Sequence, residues 1–266
     1  MHFIWKGASP MTLTVHLDNQ LLSLVLFDGN DPVVSSSLAA DPAFTPDQCA
    51  ASIQGVLCLR GADLSQVTEG IFGSVVPPLT HSLRQALELL LPGRPLLAVG
   101  PGIKTGLNMR LENVPAVGAD FVCTAAAALA EFPPPLVVLS LADAATTFLA
   151  IDREGCLVGR SIVPGVESSL ANLHHTAAQL PAVAFEPRCR LLGRGTADAI
   201  RSGILYGSAA MIDGMLDRYQ EALGGGATVV ATGRLAPAVL AQCRHPAQVR
   251  PLLVHEGLRL LCQRNR

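Results

Sequence analysis

The chain has 266 residues, half of them apolar and only 15% charged, with a formal net charge of −2. That balance excludes an intrinsically disordered chain, and the absence of a Lys/Arg run excludes nucleic acid or an anionic membrane as the main partner. The length suits two lobes, each able to bury its own core.

Cysteines stand at 49, 58, 123, 156, 189, 243 and 262. No two show a C-x-x-C spacing, so neither a structural zinc site nor a disulfide scaffold is expected, and they read as small core residues of a cytoplasmic protein. The first ten residues hold only the apolar tripeptide Phe3–Trp5 before Lys6, too short for a secretory signal. They read as an extension, with Met11 the expected working start. No window reaches the ~18 apolar residues of a membrane span.

Alternation predicts strands over Leu13–Leu17, Leu21–Phe27 and Val33–Leu38, an antiparallel meander punctuated by Asp18-Asn19 and Asp28-Gly29-Asn30. A helix is predicted from Thr45-Pro46-Asp47 to Leu59. A buried strand follows over Gly70–Val76, stopped by Pro77-Pro78. Next come a helix over Leu79–Leu91, a strand over Pro95–Val99, the Gly-rich connection 100–106, and an Ala-rich helix over Val117–Glu131. The second half replays the order. Strands are expected at Leu136–Leu141, Thr146–Ile151 and Cys156–Ile162, and helices at Val166–Ala178 and Thr196–Leu223. Gly224-Gly225-Gly226 reads as a helix stop, since no Lys-Ser/Thr follows to make it a phosphate loop. A strand at Ala227–Ala231 and helices at Ala236–Cys243 and His255–Gln263 complete the chain. Two meanders, each followed by alternating helices and strands, imply an internal duplication in a two-lobed α/β protein with mixed sheets flanked by helices.

Several segments, in order along the chain, resemble type III pantothenate kinase. They are Ser74-Val75-Val76-Pro77, Gly102-Ile103-Lys104-Thr105-Gly106-Leu107, Asn113 with Val117-Gly118-Ala119-Asp120, Ala145-Thr146-Thr147-Phe148, Ile162-Val163-Pro164-Gly165, Thr176–Pro181, Ser202–Gly207, Ala231-Thr232-Gly233, and Gly257-Leu258-Arg259 through Arg264-Asn265. The resemblance implies a duplicated actin-like (ribonuclease H-like) kinase fold with an N-terminal lobe over 11–117 and a C-terminal lobe carrying the dimer interface over 118–266. It implies a cytoplasmic homodimer that transfers the ATP γ-phosphate to pantothenate, the first step of coenzyme A synthesis, with Mg2+ and a monovalent cation (K+ or NH4+). Asp120 takes the place of the carboxylate that accepts the substrate hydroxyl proton. Gly118, Ala119 and Thr196 fall on substrate positions, and Asn19, Ala145 and Thr146 on nucleotide positions. Read without the family, Asp120 is a helix N-terminal carboxylate and Thr196 a helix N-cap.

Both phosphate motifs depart from the family. Where it reads D-x-G-N-T, this chain has His16-Leu17-Asp18-Asn19-Gln20; where it reads D-x-G-T-A-T-T, the chain has Leu141-Ala142-Asp143-Ala144-Ala145-Thr146-Thr147. Each motif loses an Asp and gains one two residues later, in place of a glycine. Two expectations follow: Asp18 and Asp143 are relocated cation ligands, or the nucleotide site has decayed. Phe121 replaces a family Arg and Leu111 a family Tyr. Arg234 replaces a glycine, either attracting phosphate or blocking the adenine side. His174 and His175, adjacent on a helix, make a poor metal pair. The function classes left open are an active kinase, a non-catalytic partner of an intact paralogue, and a pantothenate-like small-molecule binder.

Overall fold

The computed structural model describes residues 10–113 and 117–266. The 1–10 extension lies outside the described residues except for Pro10, as do residues 114–116 of the Asn113–Asp120 motif. Two compact units divide the chain. One holds the described residues up to Gly106, those from Asn113 to Ala127, and Val254–Arg266; the other holds Leu107–Glu112 and Ala128–Leu253. The chain therefore passes between units more than once, where a sequence reading places one boundary at 117.

In the first unit, β1 (Met11–Leu17), β2 (Leu21–Asp28) and β3 (Asp31–Ala39) form the expected antiparallel meander. β4 (Glu69–Ser74) lies parallel to β1, and β5 (Leu96–Ala98) parallel to β4, giving the order β3-β2-β1-β4-β5. α1 (Pro46–Leu59) opens with a capping box in which Thr45 and Gln48 each satisfy the other's backbone amide. α2 (Pro77–Leu90) contains the two prolines that sequence reasoning assigned to a strand stop. A proline lacks an N–H, and the first turn of a helix has no internal acceptor for one, so Pro77-Pro78 begins the helix instead.

Alternation along β1 divides its side chains between two faces. Met11, Leu13, Val15 and Leu17 enter an apolar core with Ile53 and Leu57 of α1 and Leu83 and Leu87 of α2. Thr12, Thr14 and His16, on the other face, are buried as well. This polar stripe is central to the site below.

The second unit contains β6 (Asn108–Met109), β7 (Leu136–Leu141), β8 (Ala145–Ile151), β9 (Cys156–Pro164), β10 (Thr228–Thr232) and β11 (Gln248–Val249), in the order β11-β10-β7-β8-β9-β6. The pairings from β9 to β11 repeat those from β3 to β5 in order and sense. The duplication expected from the two meanders is thus present in the topology. After α3 (Ala119–Glu131), helices α4 (Val166–Thr176), α5 (Thr196–Ala222) and α6 (Ala236–Leu240) belong to this half of the chain. Ile204, Leu205, Ile212 and Leu216 of α5 pack with Val137, Leu139, Leu141 and Phe148 in the second core. Gly224, Gly225 and Gly226, all at positive φ, end α5 as expected.

The last helix, α7 (Leu253–Arg264), returns to the first unit. A side chain at Gly257 would run into the backbone carbonyl of Cys123, so α7 crosses α3 at a separation only glycine permits. The polar stripe of β1 has partners on β4 and on this helix. Thr12 Oγ1 donates to Glu69 Oε1 at 2.7 Å, and Arg266 Nε donates to Glu69 Oε2 at 2.9 Å. His255 lies with Nδ1 2.9 Å from Thr14 Oγ1 and Nε2 2.9 Å from Ser23 Oγ. Burial and the neighbouring His16 push the His255 pKa down to about 3, so it is neutral at physiological pH. Among the described residues no helix is long and apolar enough to cross a membrane.

Candidate functional site

β1 ends at Leu17, and its last inward polar residue, His16, points toward the start of α3. A side chain at Gly73 of β4 would come within 3.9 Å of the His16 ring and 3.1 Å of Ala119, so both border the same small space. Asp120 follows in the first turn of α3. A side chain at Gly118 would come within 2.5 Å of Asp120 Oδ1, so the glycine leaves room for that carboxylate. The predicted Gly118-Ala119-Asp120 segment is thus brought together with His16.

His16 is 8% exposed, and its Nε2 has no hydrogen-bond partner; Asp120 Oδ1 is buried in the same condition. Burial lowers the His16 pKa, while Asp120 and Asp18 oppose that shift. Burial raises the Asp120 pKa, opposed by His16 and by hydrogen bonds from the backbone amides of Phe121 and Asp120 itself. Both shifts come from burial, and each group's charge opposes the shift of the other.

The two substituted turns are built differently. Asp18 Oδ1 accepts from the amides of Gln20 at 2.8 Å and Leu21 at 2.7 Å, an Asx cap that closes its own hairpin. Asp143 Oδ1 instead accepts from Arg234 Nη2 at 2.7 Å, and the same nitrogen lies 2.6 Å from Glu167 Oε1. The backbone of that turn is held by α4: the Asp143 carbonyl accepts from Ser168 Oγ at 3.2 Å, and Gly165 N donates to Ala144 O at 3.0 Å. Gly165 and Gly233 pass so close that a side chain on either would run into the carbonyls of Asp143 and Leu141 respectively.

These arrangements do not fit a resident Mg2+ or monovalent cation at the turns. One oxygen of Asp18 is used by backbone amides, Asp143 is paired with a guanidinium, and Leu141 is fully buried apolar surface. A cation there would compete with Arg234 for Asp143. Among the described residues, one group of three potential metal-ligand side chains converges, Asp152, Glu154 and Cys156. Arg110 pairs with its carboxylates at 3.7 and 2.7 Å, and Asp152 Oδ1 already accepts from the amides of Glu154 and Cys156.

The other predicted residues are scattered over local settings. Asn19 is exposed in the β1–β2 loop. Ala145 is half-buried, and Thr146, also in β8, is buried with an unpartnered Oγ1. Thr196 is exposed as the first residue of α5; Gly195 holds the cap position and no side chain caps the helix, so the N-cap reading does not apply. His174 and His175 have ring centroids 5.7 Å apart, and His174 Nδ1 lies 3.0 Å from Leu180 O. Sequence reasoning treated His16 only as a lost carboxylate and gave Thr14 and His255 no part in a site. The period-two run Thr12, Thr14, His16 in an otherwise apolar strand was the available signal.

The repeated five-strand order, with helices inserted at matching points, defines a duplicated actin-like α/β protein. Acetate kinase from Porphyromonas gingivalis has the same fold, with a TM-score of 0.54 and 12% identity over 96% of this chain and 100% of that one. So does the activator of the 2-hydroxyisocaproyl-CoA dehydratase from Clostridium difficile, with a TM-score of 0.53 and 10% identity over 93% of this chain and 92% of that one. In sequence, the model of the type III pantothenate kinase family matches residues 12–218. Type III pantothenate kinases of Moorella thermoacetica and Exiguobacterium sp. are 34% and 33% identical over 96% of this chain and 100% and 99% of their own. This chain belongs to the type III pantothenate kinase family.

Proposed function

We propose that the protein retains recognition of a pantothenate-like hydroxyl at Asp120, while phosphoryl transfer from Mg-ATP is weakened or lost. The observation that carries this reading is the engagement of both turn carboxylates by the fold, Asp18 by its own hairpin and Asp143 by Arg234. Phosphoryl transfer depends mainly on positioning and charge compensation around the phosphates. A carboxylate in place of each glycine adds bulk and negative charge at the position where a triphosphate approaches. At ~4 Å and an effective dielectric of ~20, like unit charges repel by about 4 kcal/mol, a cost that the Arg234 guanidinium reduces at Asp143. On the substrate side the reading is supported by the position of Asp120, whose Oδ1 is buried and without a partner. An acceptor so placed can take the hydroxyl proton of an alcohol. Gly118 and Ala119 line the same position, and Thr196 is the further substrate residue the family pattern suggests. The assembly is a cytoplasmic homodimer. If transfer is lost altogether, the chain serves as a binding or regulatory partner of an intact paralogue.

The test is ATP-dependent phosphorylation of pantothenate beside a family relative. Turnover lower by orders of magnitude is expected, and ordinary turnover rejects the reading. His16→Asp, Asp18→Gly, Leu141→Asp, Asp143→Gly and Ala144→Thr together restore the motifs. The geometry adds Arg234→Gly to that set, since its guanidinium would otherwise remain beside Glu167.

A further inference from the structure

His16 Nε2 and Asp120 Oδ1 are buried polar atoms on neighbouring elements, and neither has a hydrogen-bond partner. Leaving one such atom unsatisfied costs about 1–3 kcal/mol, so two on adjoining elements point to a polar group that meets them. The His16 ring and Ala119, the residue before Asp120, both approach Gly73, and His16 and Asp120 each act electrostatically on the other. The charged and titratable groups acting on His16 are Asp120 on α3, Asp18 on the hairpin and His255 on α7. A metal ion is disfavoured, because among the described residues no third His, Cys, Asp or Glu side chain converges with His16 and Asp120. An anion is disfavoured by the two carboxylates. A neutral hydroxyl fits both atoms, since its oxygen accepts one hydrogen bond while its proton makes another.

We propose that His16 is a second anchor for the ligand's terminal hydroxyl, donating from Nε2 to the hydroxyl oxygen while Asp120 Oδ1 accepts the hydroxyl proton. This deepens the Asp120 reading above and rests on it. No covalent bond changes. The pair gives the site a donor and an acceptor for one oxygen, so it selects an alcohol over an analogue that lacks the hydroxyl. A carboxylate at position 16 would offer a second acceptor and no donor.

Calorimetry with pantothenate and with its analogue lacking the terminal hydroxyl tests this in the full chain. His16→Leu is expected to weaken pantothenate binding about tenfold and leave the deoxy analogue unchanged, while His16→Gln, which keeps a donor, recovers most of the loss. In the unmodified protein with 15N-labelled histidine, the Nε2 resonance of His16 should shift with pantothenate and not with the analogue. That second readout decides the matter if His16→Leu fails to fold. Equal loss of both ligands, no loss of either, or an unmoved Nε2 signal overturns the anchor. If the unmodified protein gives no heat with pantothenate, the Asp120 reading falls too; if heat persists and is indifferent to position 16, only the anchor falls.

Discussion

The hairpin turns after β1 and β7 carry the same Gly-to-Asp departure from the family pattern, yet the two aspartates do different things. Asp18 immediately precedes the loop, and its amide donates to Leu21 O. From that position a side-chain oxygen reaches the amides two and three residues on, and Asp18 Oδ1 accepts from both. In the second turn the equivalent hydrogen bond runs from Ala142 N to Ala145 O, which places Asp143 inside the loop, one position later. Its carboxylate pairs outward with Arg234. A one-residue difference in turn position thus makes one aspartate a local cap and the other a tertiary ion-pair partner. The first turn's carboxylate is used within its own hairpin, with Ala40 N donating to Gln20 O from outside it, whereas the second turn is clamped by α4 and by the loop after β10.

The largest expected effect comes from breaking that clamp. Gly233 has φ of 105°, where a side chain is strained, and a Cβ there meets the Leu141 backbone. Gly233→Ala should destabilise the second unit by about 3 kcal/mol or more, read as an early unfolding transition in urea. A change below about 1 kcal/mol would show that the loop does not hold the turn. Next is Arg234→Ala, which leaves Asp143 and Glu167 without their shared guanidinium. Arg234 is 55% exposed, so solvent screening limits the loss to about 1 kcal/mol. Combining it with Asp143→Ala should give less than the sum of the two single losses, by about 0.5 kcal/mol. Strict additivity would mean the ion pair contributes nothing to the clamp.

How much was visible before the structure depended on the range of the interactions. β7 over Leu136–Leu141 agrees with its expected bounds, and the Thr45-Pro46-Asp47 start of α1 also holds. Both depend on periodicity or capping within a few residues. β6 and β11 are two residues each, too short to show any period, and exist only as partners for β9 and β10. Pro77-Pro78 was legible as a boundary but ambiguous in kind, since proline both ends strands and begins helices. The candidate site divides in the same way. Gly118-Ala119-Asp120 was recognisable as a segment. The Thr14–His255 contact joins residues 241 apart, and no local pattern announces it. The unequal roles of Asp18 and Asp143 follow from hairpin register, which the matched motifs concealed by placing both aspartates at one family position.

The smallest effect gives the sharpest comparison. Asp18→Ala removes an acceptor serving two amides in an exposed turn and should cost about 0.5–1 kcal/mol. Its amide partners, Gln20 and Leu21, should then exchange hydrogen faster. Asp18→Asn should restore most of that loss, because a side-chain carbonyl oxygen can still accept from both amides and no cation needs the charge. At the other turn the same Asp-to-Asn change removes the charge that Arg234 pairs with, so Asp143→Asn should lose a measurable part of what Asp143→Ala loses. The argument therefore depends on the ratio of the two asparagine variants: charge is dispensable where the carboxylate caps backbone amides and needed where it faces a guanidinium. If Asp18→Asn proves as damaging as Asp18→Ala while Asp143→Asn is neutral, the two turns have been assigned the wrong way round.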